Sequence, residues 1–184
     1  MNIDLSKRRV IVTGASRGIG YAIASAFAEN GARVAICARD AKAIEAAADK
    51  MRSSAASIMA RSVDVTNTEA VNGFVDEITE AWGGVDVLVN NAGQGKGGSL
   101  DSLTPEDILD HANVLQMGHF RFVKAVVPHM RKQRWGRIIE INALAGTIPT
   151  PSGIPSVINR ASCVALSKSL GMSLPKDNIL VNSL

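Results

Sequence analysis

The chain has 184 residues, 46% of them hydrophobic, and a formal net charge of +3 from 20 basic and 17 acidic residues. This length supports the core of one ordinary domain, and we expect residues 1–184 to form a single domain. The basic residues are spread along the chain, which argues against nucleic acid as a partner. No uninterrupted apolar segment approaches the roughly 20 residues that span a bilayer, so we expect a cytoplasmic protein with no membrane partner.

Six short apolar runs alternate with longer stretches of helical periodicity, and this pattern predicts strands separated by helices. Small and branched side chains outnumber aromatic ones, as is typical of parallel strands covered by helices. Right-handed crossovers would put helices on both faces, so the prediction is an α/β fold: a doubly wound parallel sheet in three αβα layers. The predicted strands lie near 10–12, 34–36, 58–63, 85–89, 138–141 and 179–181.

The long helix predicted between the fourth and fifth strands has a clear beginning. Thr104 is a candidate N-cap, and Pro105 and two acidic residues follow it in the first turn. We expect this helix to run to about residue 127, and to bend or stop near Pro128, because proline lacks an amide donor.

Neither the cysteines nor the histidines form a recognisable metal or redox motif. Cys37 lies in a predicted strand and Cys163 in a predicted helix, without CxxC spacing, so buried reduced thiols are expected. His111 and His129 look like helix-surface residues, whereas His119 is the one imidazole that could reach the crevice, where a packed side chain is the alternative. We predict no metal site.

The most informative segment is 13–20, which follows the first strand and opens a helix. Its glycines, Gly14, Gly18 and Gly20, permit a tight turn and close backbone approach. The free amides and the positive dipole end of the following helix suit a pyrophosphate.

The Gly-x-x-x-Gly-x-Gly spacing resembles the short-chain dehydrogenase/reductase family, and the resemblance runs from residue 8 to 184. Asp64-Val65 after the third strand looks like the pair that contacts adenine, and Asn90-Asn91-Ala92-Gly93 after the fourth like the family's NNAG motif. The resemblance implies an NAD(P)-binding Rossmann-type domain. The candidate cofactor residues are Gly14, Ser16, Arg17, Gly18, Ile19, Gly20, Arg39, Asp64, Val65, Asn91, Ala92 and Gly93.

The end of the second strand bears on which dinucleotide is bound. An NAD-specific member places a carboxylate there to accept from the ribose 2′-hydroxyl, and this chain has Ala38. Arg39 and Arg17 could instead converge on a 2′-phosphate, so NADP(H) is favoured over NAD(H). The alternative is two solvated arginines, and Asp40 is an acidic residue one position further on.

The family's four catalytic positions are all altered when the chain is aligned back from the sixth strand. Ser156 falls at the proton-transferring tyrosine, Arg160 at the lysine four residues later, Ala143 at the serine and Leu115 at the asparagine, so the YxxxK motif is missing. A serine hydroxyl is a far poorer acid than a phenol, and a guanidinium cannot lose its proton. The only tyrosine, Tyr21, lies in the first helix, and Asn142, Asn113 and Asn159 are the candidate substitutes.

Three hypotheses remain open. The first is an NADP(H)-binding oxidoreductase that acts on a carbonyl or alcohol substrate with degenerate catalytic residues. The second is an inactive dinucleotide-binding protein, either a sensor or a partner subunit. The third is a truncated or decayed reductase, since the family's substrate-specific C-terminal segment would follow the sixth strand and is expected to be absent. The resemblance also implies a homodimer or homotetramer through the fourth and fifth helices, those before and after the fifth strand.

Overall fold

A computed structural model of the chain describes residues 3–53, 57–93 and 95–184. Its six strands are all parallel and form one sheet in the order β3-β2-β1-β4-β5-β6. Connections leave β1 and β4 in opposite directions, so a crevice opens at their carboxyl ends. The predicted doubly wound sheet is confirmed. The strands are β1 (Arg9–Thr13), β2 (Arg33–Ala38), β3 (Ser57–Ser62), β4 (Val87–Asn90), β5 (Gly136–Glu140) and β6 (Ile179–Ser183).

Helices cover both faces of the sheet. One buried cluster packs the first two helices on the sheet, and a second packs the third, fifth and sixth helices on the other face. The helices are α1 (Gly18–Glu29), α2 (Ala41–Met51), α3 (Thr68–Trp82), α4 (Pro105–Ala112), α5 (Gly118–Gln133) and α6 (Ile154–Ser173). Across the described residues, no helix is both long and apolar enough to cross a membrane.

The register brings the carboxyl ends of the central strands level with one another. Val12 of β1 pairs with Ile36 of β2 and with Val89 of β4, and all three side chains are fully buried. Burying branched side chains on both faces stabilises the sheet by about 25 cal/mol per Å² of apolar surface removed from water. The loops that follow these strands therefore start from a rigid common edge.

The segment between β4 and β5 differs from the single helix that was predicted. Thr104 caps α4 in a capping box with Asp107, as expected, but a π-helical turn, Asn113–Met117, separates α4 from α5. Of the expected bend or stop at Pro128, the stop is wrong, because α5 continues to Gln133. Pro128 and Lys124 both lie on the exposed side of α5, where water can satisfy the carbonyl that proline leaves unpaired.

Both cysteines are free and buried, as predicted. Burial raises the pKa of the Cys37 thiol to about 12. A thiol with so high a pKa is inert near neutral pH, so Cys37 serves only to pack the core.

Candidate functional site

The glycine loop packs α1 closely against the end of β4. Gly14 and Gly18 have positive φ angles of 65° and 61°, which other residues adopt only with strain. A Cβ on Gly20 would lie 2.4 Å from Asn91 Nδ2 and 2.5 Å from the Gly14 oxygen, whereas a Cβ on Gly18 would meet nothing within 4 Å. Gly20 is therefore needed for close packing, and Gly18 borders open space.

The amino end of α1 is left without a side-chain cap. Arg17 occupies the N-cap position without a capping hydrogen bond, and no acidic residue lies in the first turn. In contrast, α2, α3 and α4 are each capped by a side chain, from Asp40, Asn67 and Thr104. The α1 amides therefore remain available to an anion, together with the positive end of the helix dipole.

A groove of about 900 Å³ opens over this helix end. It is lined by every predicted cofactor residue except Asp64, whose Oδ1 instead accepts from the Thr66 amide (2.9 Å) and hydroxyl (2.8 Å). These hydrogen bonds, helped by the charges of Arg39 and Arg121, lower the pKa of Asp64. The groove lining consists of Gly14, Ser16, Arg17, Gly18, Ile19, Gly20, Ala38, Arg39, Asp40, Ala43, Val63, Val65, Asn91, Ala92, Gly93 and Val114.

Of these lining residues, sequence reasoning missed Ala43, in the first turn of α2, as well as Val63 and Val114. Val63 directly follows β3 and was assigned to the strand, although its position at the strand end was a usable signal. Val114 lies in the π-helical turn between α4 and α5, and the hydrophobic periodicity of the segment did not indicate a π-helical turn.

Basic side chains dominate the end of the groove at β2. Arg17 and Arg39 both line it. The neighbouring carboxylate of Asp40 is turned toward α2, where Oδ1 accepts from the amides of Lys42 (2.9 Å) and Ala43 (3.0 Å). Asp40, the acidic residue next to the proposed 2′-phosphate position, therefore uses its carboxylate to cap α2.

The turn that follows β4, residues 91–93, is fastened to β1. Thr13 Oγ1 accepts from the amides of Asn91 (3.0 Å) and Ala92 (2.9 Å), and Asn91 Nδ2 donates to the oxygens of Thr13 (2.9 Å) and Gly14 (3.1 Å). We call residues 91–93 the β4 turn. These bonds connect the glycine loop and the β4 turn into one rigid wall of the groove.

Two of the predicted catalytic positions meet at the β4 turn. A Cβ on Gly93 would lie 2.6 Å from Leu115 Cδ1 and 3.9 Å from Arg160 Nη2. Arg160 Nη1 donates to the Ile141 oxygen at 2.9 Å, and burial lowers the pKa of its guanidinium. Arg160 thus lies behind the β4 turn as a donor to main chain, beside an aliphatic Leu115 that offers no polar atom, and neither residue is among those that line the groove.

Ser156, the residue aligned with the family tyrosine, is engaged by main chain. Its hydroxyl donates to the Lys96 oxygen (3.1 Å) and accepts from the Lys96 amide (2.9 Å). The same loop pairs with the start of α6, because the Gly98 amide donates to the Ser152 oxygen at 3.0 Å. Ser156 therefore holds the loop after β4 against α6.

Ala143 has no polar side-chain atom, and the three amides proposed as substitutes contact other parts of the fold. Ala143 lies after β5 on the wall of a second cavity of about 680 Å³. Asn142 Nδ2 lies 3.2 Å from the Arg160 oxygen, Asn113 Oδ1 accepts from Arg121, and Asn159 is buried against His111. Each amide is engaged within the fold.

His111 differs from expectation, whereas His119 takes the packed alternative. His111, predicted on the surface, is 6% exposed, and its Nδ1 lies 2.9 Å from Asn159 Nδ2. His119 is 1% exposed and contacts Glu140. The amphipathic pattern of the helices did not reveal either burial, because α6 and β5 cover these side chains.

Comparison with known proteins places this architecture in a family. Residues 8–184 match the family model of short chain dehydrogenases. The chain is 32% identical over 181 residues to the 3-oxoacyl-acyl-carrier-protein reductase FabG of Vibrio cholerae, covering 98% of this chain and 73% of that protein. The chain therefore belongs to the short-chain dehydrogenase family.

Solved structures of sugar-related dehydrogenases share the fold. The L-sorbose reductase of Gluconobacter frateurii, complexed with NADPH and L-sorbose, superposes with a TM-score of 0.95 at 31% identity, over 100% of this chain and 70% of that chain. An NAD+-bound xylitol dehydrogenase gives a TM-score of 0.95 at 30% identity, over 98% of this chain and 70% of that one. The family thus includes oxidoreductases crystallised with either dinucleotide.

Proposed function

We propose that this chain is an NADP(H)-binding oxidoreductase domain that acts on a carbonyl or alcohol substrate with altered catalytic residues. The observation that carries the proposal is the groove at the uncapped end of α1, where Arg17 and Arg39 face the cavity while Asp40 caps α2. The single continuous sheet supports treating residues 1–184 as one dinucleotide-binding domain.

The residues present fit a dinucleotide. Gly18 leaves open space where a side chain would intrude, and Gly14 and Gly20 keep the helix end against the sheet. A pyrophosphate needs free amide donors at this point, and the α1 terminus has them. When bound, a nicotinamide dinucleotide supplies the hydride; this chain's part is to hold, orient and enclose it.

The preference for NADP(H) follows from charge. The 2′-phosphate of NADP(H) carries negative charge that guanidinium groups bind through charge-assisted hydrogen bonds. NAD(H) has a ribose hydroxyl there, which an acceptor at Ala38 would recognise, and alanine offers none.

Proton transfer is the weak part of the proposed activity. Ser156 exchanges both hydrogen bonds with the Lys96 main chain, and Arg160 keeps its proton. Without a group of suitable pKa, turnover would fall by the 10²–10⁴-fold that general acid–base catalysis typically contributes. We therefore propose tight binding with slow turnover.

Exposed apolar side chains support a homodimer or homotetramer through the helices on either side of β5. Met117 and Phe120 are each 40% exposed and Ile158 is 46% exposed. Phe120 lies on the exposed side of α5, whereas Val123, Val126 and Val127 of the same helix are buried. Light scattering tests the proposal, and a monodisperse monomer at micromolar concentration contradicts it.

The test of function is a fluorescence titration with NADPH, followed on the same sample by NADPH oxidation against a panel of ketones, aldehydes and sugars. Saturable binding with measurable oxidation supports the proposal. Binding without any oxidation would favour a dinucleotide sensor or partner subunit, and no binding would contradict the proposed function.

A further inference from the structure

A buried pair of ionisable side chains lies beneath the β4 turn. His119 of α5 and Glu140 at the end of β5 are each 1% exposed, and His119 Nδ1 lies 2.6 Å from Glu140 Oε2. Neither atom has a hydrogen-bond partner of regular geometry in the described part of the chain. The stabilisation of the pair is therefore mainly electrostatic, and it is strengthened by the absence of water.

The other imidazole nitrogen contacts the β4 turn itself. His119 Nε2 lies 3.0 Å from the Ala92 oxygen. A carbonyl oxygen only accepts, so Nε2 carries a proton and donates it to Ala92. His119 thereby connects the carboxylate of β5 to a main-chain carbonyl on the groove wall.

Glu140 also contacts β4 directly, through a hydrogen bond that does not involve His119. Its Oε1 accepts from Asn90 Nδ2 at 2.8 Å, and the same amide donates to the His119 main-chain oxygen at 3.1 Å. The three side chains form a closed network that joins β4, β5 and α5. Its position is fixed by three elements rather than by one loop.

The protonation of His119 fits this arrangement. Burial alone would lower the pKa of His119, but the Cys163 thiol and the Glu140 carboxylate raise it to about 9. The ring is then an imidazolium at neutral pH: Nε2–H donates to Ala92, and Nδ1 is in ion-pair contact with Glu140 without regular hydrogen-bond geometry. Both nitrogens are occupied, so the ring has no free atom for acid–base work.

The β4 turn is thus held from two sides. Thr13 of β1 binds its amides, and His119 of α5 binds its carbonyl. Gly93 has a φ of 154°, and Leu115 fills the space where its Cβ would be. A turn this confined moves only if one of its two attachments is lost.

We propose that His119, held by Glu140, is a positioning residue for dinucleotide binding: it fixes the Ala92 carbonyl and, through it, the groove wall formed by Ala92 and Gly93. This inference rests on the proposed dinucleotide-binding function. It assigns a purpose to two buried side chains that the hydride chemistry does not use.

The test combines two substitutions so that no buried charge is left without a partner. In the double variant His119→Leu with Glu140→Gln, the new glutamine still accepts from Asn90, while the donor to Ala92 is gone. Glu140→Gln alone is the conservative variant, because a neutral His119 still donates from Nε2. His111→Leu is the matched control, since His111 is also a buried histidine of this region and bonds to Asn159.

Two readouts separate positioning from simple core packing. NADPH affinity is measured by calorimetry on samples shown by urea titration to be folded, and hydrogen exchange is measured for the peptide spanning 88–93 without cofactor. We expect the double variant to bind NADPH about tenfold more weakly, with faster exchange in the β4 turn. Glu140→Gln should lose about threefold or less, and His111→Leu should match the wild type in both readouts.

Unchanged NADPH affinity in the folded double variant overturns the inference, as does unchanged exchange in the β4 turn. An equal loss of affinity in His111→Leu also overturns it, because the effect would then come from core packing. If the wild type binds neither dinucleotide, the proposed function fails while the exchange comparison still decides whether His119 fixes the turn.

Discussion

The two halves of the crevice are lined by different kinds of chemical group. At β1, β2 and β4 the wall is made of glycines, free helix amides and two arginines that line the groove. At β5 and α6 the polar side chains of Ser156, Asn142 and Arg160 all bond to main chain. Under the proposed function, dinucleotide binding depends on the first half and proton transfer on the second, so the fold would separate the two.

Restoring the second half tests this comparison most strongly. The variant with Ser156→Tyr, Arg160→Lys, Ala143→Ser and Leu115→Asn places the family's four catalytic residue types at the positions that the proposed alignment assigns to them and leaves the groove unchanged. We expect carbonyl-dependent NADPH oxidation to rise by about 10²–10⁴-fold, the usual contribution of a positioned acid or base. A folded variant that binds NADPH but gains no oxidation would contradict the account.

A side chain added at Gly20, the most closely packed position in the glycine-lined half of the crevice, should lower the stability of the fold. In Gly20→Ala the added Cβ would meet Asn91 Nδ2 and the Gly14 oxygen, so we expect a loss of about 3 kcal/mol in the free energy of unfolding, with loss of NADPH binding. The control is Gly73→Ala in α3, where nothing lies within 4 Å. The control should gain about 0.5–1 kcal/mol from helix propensity. Equal urea midpoints for Gly20→Ala and Gly73→Ala would contradict the expectation that close packing requires a glycine at position 20.

The His119–Glu140 pair, which lies between the two halves of the crevice, predicts that the stability of the fold depends on pH. The pKa of His119 is raised from 6.5 to about 9, so its contribution is complete below pH 6.5 and is lost as the pH rises through 9. At about 1.36 kcal/mol per pKa unit, the loss of folding free energy is on the order of 3 kcal/mol.

Urea titrations at pH 6.5 and pH 9.5 measure this dependence. The double variant His119→Leu with Glu140→Gln should lack the loss, because neither the titrating imidazole nor its partner carboxylate is then present. A wild-type decline no larger than that of the double variant would show that His119 is not the group responsible.

The smallest expected effect concerns the arginines. Arg17→Ala or Arg39→Ala should weaken NADPH binding by about tenfold each, or 1.4 kcal/mol, and leave NADH binding within about twofold. Arg33→Ala, at the amino end of β2 and exposed, is the matched control and should change neither affinity. Equal losses for both dinucleotides would rule out recognition of the 2′-phosphate.

The sequence predicted well what depends on local pattern. The strands, the glycine loop and the Thr104 cap follow from hydrophobic periodicity, glycine spacing and capping chemistry. Contacts between distant segments were not predictable in this way. The local sequence around His119 does not indicate that this side chain contacts Glu140. The sequences around Ser156 and Asp64 likewise do not indicate that Ser156 exchanges hydrogen bonds with Lys96 or that Asp64 turns away from the groove toward Thr66.

The helix boundaries show the same limit. Pro128 has a strong local preference against a helix interior, yet α5 passes through it because packing of Phe122, Val126 and Met130 fixes the helix on both sides. Local propensity is a weak effect beside the burial of several large side chains.

The most direct test of the central claim is the ratio of the dissociation constants of NADPH and NADH for the unmodified chain, measured by calorimetry at one ionic strength. The account predicts that both dinucleotides bind in the α1 groove and that NADPH binds at least about tenfold more tightly. Equal or tighter binding of NADH, or no binding of either, would contradict it.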